Sequence, residues 1–133
     1  MAKDKYHKLV RKALEDLGWT VTNDPLYIPT FKRRIEIDLG AERIIGAEKD
    51  NKKIAVEIKS FLGLSEIHEF YKALGQFSYY QLALEEDTDN RDRVLYLAVP
   101  TDVYDTFFTE PLTLKAIERF NIKIIVYNVV KEC

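Results

Sequence analysis

The chain has 133 residues, 47% of them hydrophobic and 32% charged, with 5 Gly and 4 Pro. This composition fits one compact domain spanning residues 1–133 and leaves no room for a second. The single cysteine, Cys133, excludes a disulfide scaffold and a cysteine-based zinc cluster. The opening MAKDKYHKLVRK lacks the apolar core of a secretion signal, and no run approaches the ~18 apolar residues of a membrane span. The expectation is therefore a cytoplasmic protein with no membrane partner.

A formal net charge of −2 argues against coating nucleic acid by bulk positive charge. The average hides an asymmetry, because residues 1–34 carry +4 and the remainder −6. A basic first third beside an acidic remainder suits a surface that grips phosphates next to one that holds a divalent cation. It suits a solvated mixed-charge surface equally well.

Taken in chain order, Tyr6, Leu9, Val10, Ala13, Leu14 and Leu17 form the stripe of an amphipathic helix that Gly18 stops. WTVT (19–22) reads as a short strand, and Asn23, Asp24 and Pro25 as a turn. Tyr27 to Phe31 is ambiguous. IEIDL (35–39) alternates like a strand, Arg43 to Ala47 is again apolar and β-branched, and KDNK (49–52) reads as a hairpin turn. KIAVEIK (53–59) is the clearest strand, with Ile54, Val56 and Ile58 on a core face and Ala55, Glu57 and Lys59 on a charged one. A second helix follows from Ser65, its N-cap, to about Glu86, with Ile67, Phe70, Tyr71, Leu74, Phe77 and Leu82 among its apolar positions. After the acidic loop EEDTDN come a buried strand (94–99), a short helix (113–120) and a last strand (122–130). The order describes an α/β fold with a central mixed sheet flanked by helices.

Chemistry concentrates at the end of IEIDL. Asp38 precedes Glu57 and Lys59 by about one hairpin, and two carboxylates from adjacent strands can hold Mg²⁺, or Mn²⁺ in its place, through oxygen ligands. A lysine beside them can orient the attacking water and offset charge on phosphorus. Glu57 and Lys59 can equally be an ordinary exposed pair, worth little energetically.

The Asp38…Glu57-x-Lys59 spacing resembles the PD-(D/E)XK nuclease superfamily, although Ile37 stands where the motif's proline would be. Gln76-x-x-x-Tyr80 on the second helix is similar to an element some of its members carry after the lysine strand. The segments LGWTVTNDPL (17–26), IDLGAERIIGAEKDNKKIAVEIKSFLG (37–63), LGQFSYYQLAL (74–84) and LYLAVPTDVYDTFF (95–108) resemble the XisH proteins, the fdxN element excision controlling factors of cyanobacteria. The resemblance covers nearly the whole chain. It implies a restriction-endonuclease-like domain that acts with a recombinase system and a partner called XisI to control excision of a DNA element. It further implies Asp38 and Glu57 as metal ligands, Lys59 as the water-positioning residue and Gln76 as a fourth catalytic group.

Four further residues are candidates for the same site: Glu15 and His7 on the first helix, Glu42 four residues after Asp38, and Tyr80 on the face of Gln76. Lys32, Arg33 and Arg34 read either as phosphate contacts or as the charged edge of a strand. Seven Phe and eight Tyr suggest an aromatic interface, for a homodimer or a second small protein, through the loop-like stretch 104–111 or the second helix. Three functions compete: a Mg²⁺-dependent endonuclease, a catalytically silent module that binds DNA or a partner and regulates a recombinase, and an antitoxin-like or purely structural protein, which has only the net acidity in its favour.

Overall fold

A computed structural model describes residues 5–45 and 50–129. Helix α1 (His7–Asp16) leads through Gly18, at φ +95°, into strand β1 (Thr20–Asn23). Strands β2 (Leu26–Pro29) and β3 (Arg34–Ile37) pair antiparallel as a separate two-stranded ribbon. Strands β4 (Leu39–Ile45) and β5 (Asp50–Ile58), helix α2 (Glu66–Glu86), strand β6 (Val94–Pro100), helices α3 (Thr101–Thr106) and α4 (Pro111–Arg119), and strand β7 (Ile124–Tyr127) complete the order. The main sheet runs β1-β4-β5-β6-β7, antiparallel as far as β5 and parallel beyond it. It is the expected α/β architecture with a mixed sheet and helices.

Period-two alternation on β5 explains the two layers. Ile54, Val56 and Ile58 join Val10 and Leu14 of α1, with Leu39, Ala41, Ala98 and Tyr127, on one face of the sheet. Ala55 looks the other way, into a larger core of Phe70, Ala73, Phe77 and Leu84 from α2 with the inner ribbon residues Leu26, Ile28, Ile35 and Ile37. Both faces of β5 are therefore buried, and the face expected to carry exposed charge is covered by α2 and the ribbon.

Several local expectations change. Residues 50–52 of the expected turn belong to β5, while residues 46–49 lie outside the described part of the chain. The last strand is shorter than 122–130, and position 130 is likewise outside. The stretch 104–111 is only partly loop: its first residues finish α3, 107–110 form the turn between helices, and Pro111 opens α4 at the position where a missing N–H costs nothing. Phe107 and Phe108 are buried in a ring cluster with Phe61, Phe70 and Tyr104 at centroid distances of 5.4–6.4 Å, so these aromatics build core and not an interface. On α2 the Ser65 hydroxyl accepts from the His68 N–H as expected. Of its anticipated apolar positions, Ile67, Tyr71 and Leu82 face outward together with Tyr79.

One buried cation ties the sheet together. Arg93 donates to Asn90 Oδ1 (2.7 Å), to the carbonyl of Ile54 (2.9 Å) and to Asn23 Oδ1 (3.3 Å), which joins the loop before β6 to β5 and β1. Gly40 leaves the room: a Cβ there would lie 3.1 Å from Asn23 Oδ1 and 3.2 Å from Arg93 Nη1.

Candidate active site

The site forms where the chain changes sheets. Ile35, Ile37, Leu39 and Ala41 are all buried, but the first two enter the core under α2 and the last two the core under α1. Asp38 is the single residue between β3 and β4, so the rotation of the chain there turns its side chain toward the end of β5. Its Oδ2 accepts the Ile58 N–H at 2.8 Å, and its own N–H points to Glu57 Oε1 at 3.3 Å. The two carboxyl groups are within hydrogen-bonding reach of each other. Lys59 Nζ stands 3.5 Å from Glu57 Oε2. The backbone of Lys59 is fixed by its N–H to the Ala98 carbonyl (2.9 Å) and by Tyr127 Oη to its own carbonyl (3.4 Å).

The electrostatics follow from burial. Glu57 is only 6% exposed, and desolvation followed by repulsion from Asp38 pushes its carboxyl up to about 8, against the opposing pull of Lys59. Asp38 is also raised, chiefly by burial, while the Ile58 N–H, Glu57, His7 and Lys59 act to lower it. Tyr80 is pushed up to about 12 by burial and by the negative charges of Glu57, Asp38 and Glu36, which places its phenol in the field of the pair. Among the described residues, the buried side-chain polar atoms with no partner are His7 Nδ1 and Gln76 Oε1. Orphaned buried atoms of this kind are what a bound ion, water or ligand satisfies.

A divalent cation fits this donor set. Two hard carboxylate groups in a partly desolvated corner suit Mg²⁺, which takes one or two protein carboxylates and fills its remaining positions with water and phosphate oxygens. No three His, Cys, Asp or Glu side chains converge on one metal position among the described residues, so the protein's contribution is the pair.

A family model for the XisH protein matches residues 1–133. The chain belongs to the XisH family. A crystal structure of an XisH family protein from Nostoc punctiforme PCC 73102 is 43% identical, with 95% of this chain and 92% of that chain covered and a TM-score of 0.83. A fdxN element excision controlling factor protein from Anabaena variabilis is 42% identical over 96% and 92% of the two chains, also at 0.83. Comparison with curated proteins found no match.

Within this XisH chain the structure sorts the other candidates. His7 is buried, and its Nε2 is 2.6 Å from Asp24 Oδ1, whose other oxygen takes Arg11 Nη1 at 2.6 Å. Of the two first-helix candidates, His7 is the one whose field reaches Asp38. Glu15 is not part of the site; it lies beside Arg11 one turn away, at 3.7 Å. Glu42 also falls outside, because its ladder partner is Lys53, four residues from Glu57 and roughly 13 Å along the strand. Gln76 and Tyr80 share one face of α2, half-buried, and Tyr80 is in range of the carboxylates. Asp24 and Glu36 were missed. Asp24 reads as an ordinary turn residue, and a strand carboxylate such as Glu36 gives no signal in a single sequence. No described helix is long and apolar enough to cross a membrane.

Proposed function

We propose that this XisH protein is a nuclease-like factor in the controlled excision of a DNA element, hydrolysing phosphodiester bonds with Mg²⁺, or with Mn²⁺ in its place. One observation carries the reading: a buried Glu57 carboxyl held against Asp38, with Lys59 beside it. Such a pair is electrostatically unfavourable alone and favourable around a cation. The PD-(D/E)XK resemblance of Asp38, Glu57 and Lys59 agrees with it, and the name of the Anabaena variabilis relative supplies excision control. An XisI-like protein and a recombinase system are the partners that the resemblance brings.

In this reading Asp38 and Glu57 would hold the metal. A divalent cation held there would supply Lewis-acid polarisation of a phosphoryl oxygen and would lower the pKa of water. Lys59, fixed through its backbone to β6 and β7, positions the attacking water and offsets charge developing on the phosphate. Tyr80 stays protonated across the physiological range, so its phenol remains a neutral donor near the carboxylates. The Gln76 Oε1, buried without a partner on the same helix, is an acceptor that a bound water or substrate donor would satisfy. His7, held by Asp24, acts on Asp38 through its electrostatic field from the α1 side.

The test is cleavage of supercoiled plasmid with Mg²⁺ and with Mn²⁺ by the native protein, Asp38→Asn and Lys59→Ala. Cleavage by the native protein alone supports the reading. No cleavage by any of the three, with Mg²⁺ leaving the native melting temperature unchanged, refutes it. The second reading is a silent nuclease-fold module that binds DNA or a partner and regulates the recombinase. That reading gains if Asp38→Asn leaves excision control intact.

A further inference from the structure

We infer that the β2–β3 ribbon is the element that engages duplex DNA, with Phe31, Lys32 and Arg33 at its tip entering a groove and Arg34 beside them. The choice of DNA rests on the nuclease-like reading; the identity of the contacting surface rests on the ribbon itself.

The ribbon is anchored on one side only. Leu26, Ile28, Ile35 and Ile37 fasten its inner face to the core under α2, while Tyr27, Pro29 and Arg34 form an outer face in solvent. Three consecutive cations follow Phe31 at the tip, and Glu36 is the single acidic residue of 26–37. This stretch is therefore positive in a chain whose total is −2. None of Lys32, Arg33 and Arg34 has a carboxylate within ion-pair distance among the described residues. Their charge is free to meet phosphate. The Arg34 guanidinium lies 3.8 Å from the Tyr27 ring centroid, and this stacking holds its fork outward on the exposed face. Phe31 is 95% exposed, an unusual position for a large ring, and stands where groove-binding proteins carry an apolar group against base edges or steps.

Dimensions support the assignment. Two strands about 4.8 Å apart, with side chains, fit the major groove of about 12 Å, which admits a two-stranded ribbon. β3 runs straight from Arg34 into Asp38, so Arg33 is five residues and about 16 Å from the carboxylate pair. That is about half a helical turn of duplex. A phosphate at Asp38 and Glu57 thus leaves the tip at the next groove crossing on the same side of the DNA. β3 ends at Ile37, directly before Asp38, so the ribbon and the candidate site are consecutive along the chain.

The experiment is fluorescence anisotropy with a labelled duplex two helical turns long, across a salt series, with Ca²⁺ in place of Mg²⁺ so that binding is read without cleavage. Lys32→Ala/Arg33→Ala should weaken binding about tenfold or more and flatten the slope of log affinity against log salt by about 2. Phe31→Ala should weaken binding with no change of slope. The control Lys115→Ala/Arg119→Ala on α4 should bind as the native protein does. These side chains are exposed, and unchanged melting temperatures verify the fold. Native-like binding by both ribbon variants overturns the inference and leaves the ribbon to a protein partner, as does an equal loss in the α4 control, which marks bulk charge. Failure of cleavage by the native protein, with the ribbon variants still defective in binding, refutes the nuclease reading and leaves this one standing.

Discussion

In a Glu57→Gln variant the side chain keeps its shape and loses its charge, which isolates what that buried carboxyl costs the fold. Glu57 titrates near 8 in the native state against an ordinary value of 4.5. Between these values the native protein binds more protons at this position than the unfolded chain, so stability falls as pH rises from about 4.5 to about 8 and is level above that. At pH 7 the cost is about 3 kcal/mol. Glutamine does not titrate and can still donate to Asp38, so the variant should be more stable than the native protein at pH 7, melting about 10 °C higher for a chain of this size. The gain should vanish below about pH 4.5. Thermal melts of both proteins across this range measure it, with and without Mg²⁺. Saturating metal should raise the native melting temperature, by an amount corresponding to about 2.7 kcal/mol at a hundredfold excess over the dissociation constant, and leave the variant unmoved. A variant that melts lower than the native protein at pH 7, or a difference independent of pH, refutes the claim that burial and Asp38 oppose the charge on Glu57.

Arg93→Met should lower stability by about 2–3 kcal/mol, read as a lower urea midpoint, because the Ile54 carbonyl and the Asn90 and Asn23 side chains lose their buried donor. Phe108→Ala should cost about 3–5 kcal/mol through a cavity in the ring cluster, with no change in sedimentation, since the ring is fully buried and no part of it reaches a partner. Tyr80→Phe should remove the latest-ionising component from the spectrophotometric tyrosine titration, and a native titration with no component near pH 12 would contradict the placement of Tyr80 beside the carboxylates.

What the sequence determined by itself is what a window of ten or so residues can encode. The α1 stripe, the Ser65 cap, the alternation along β5 and the turn after β1 are local, because helix and strand periods and capping hydrogen bonds involve near neighbours. The spacing of Asp38, Glu57 and Lys59 was legible too, since one strand connection links them and the family resemblance marks them. Tertiary structure decided the rest. Glu57 and Ala55 read as the charged side of a half-buried strand; α2 and the ribbon, brought from both directions in the sequence, bury that side. Six residues of Thr, Asp, Val and Tyr made α3 too short and too mixed for any period to show, and packing on β6 and β7 holds it instead. His7 became a buried partner of Asp24, while Glu15, one face away on the same helix, stayed in solvent. Burial of a charge depends on which distant elements cover it, and that is a property of the assembled layers and not of the residues beside it.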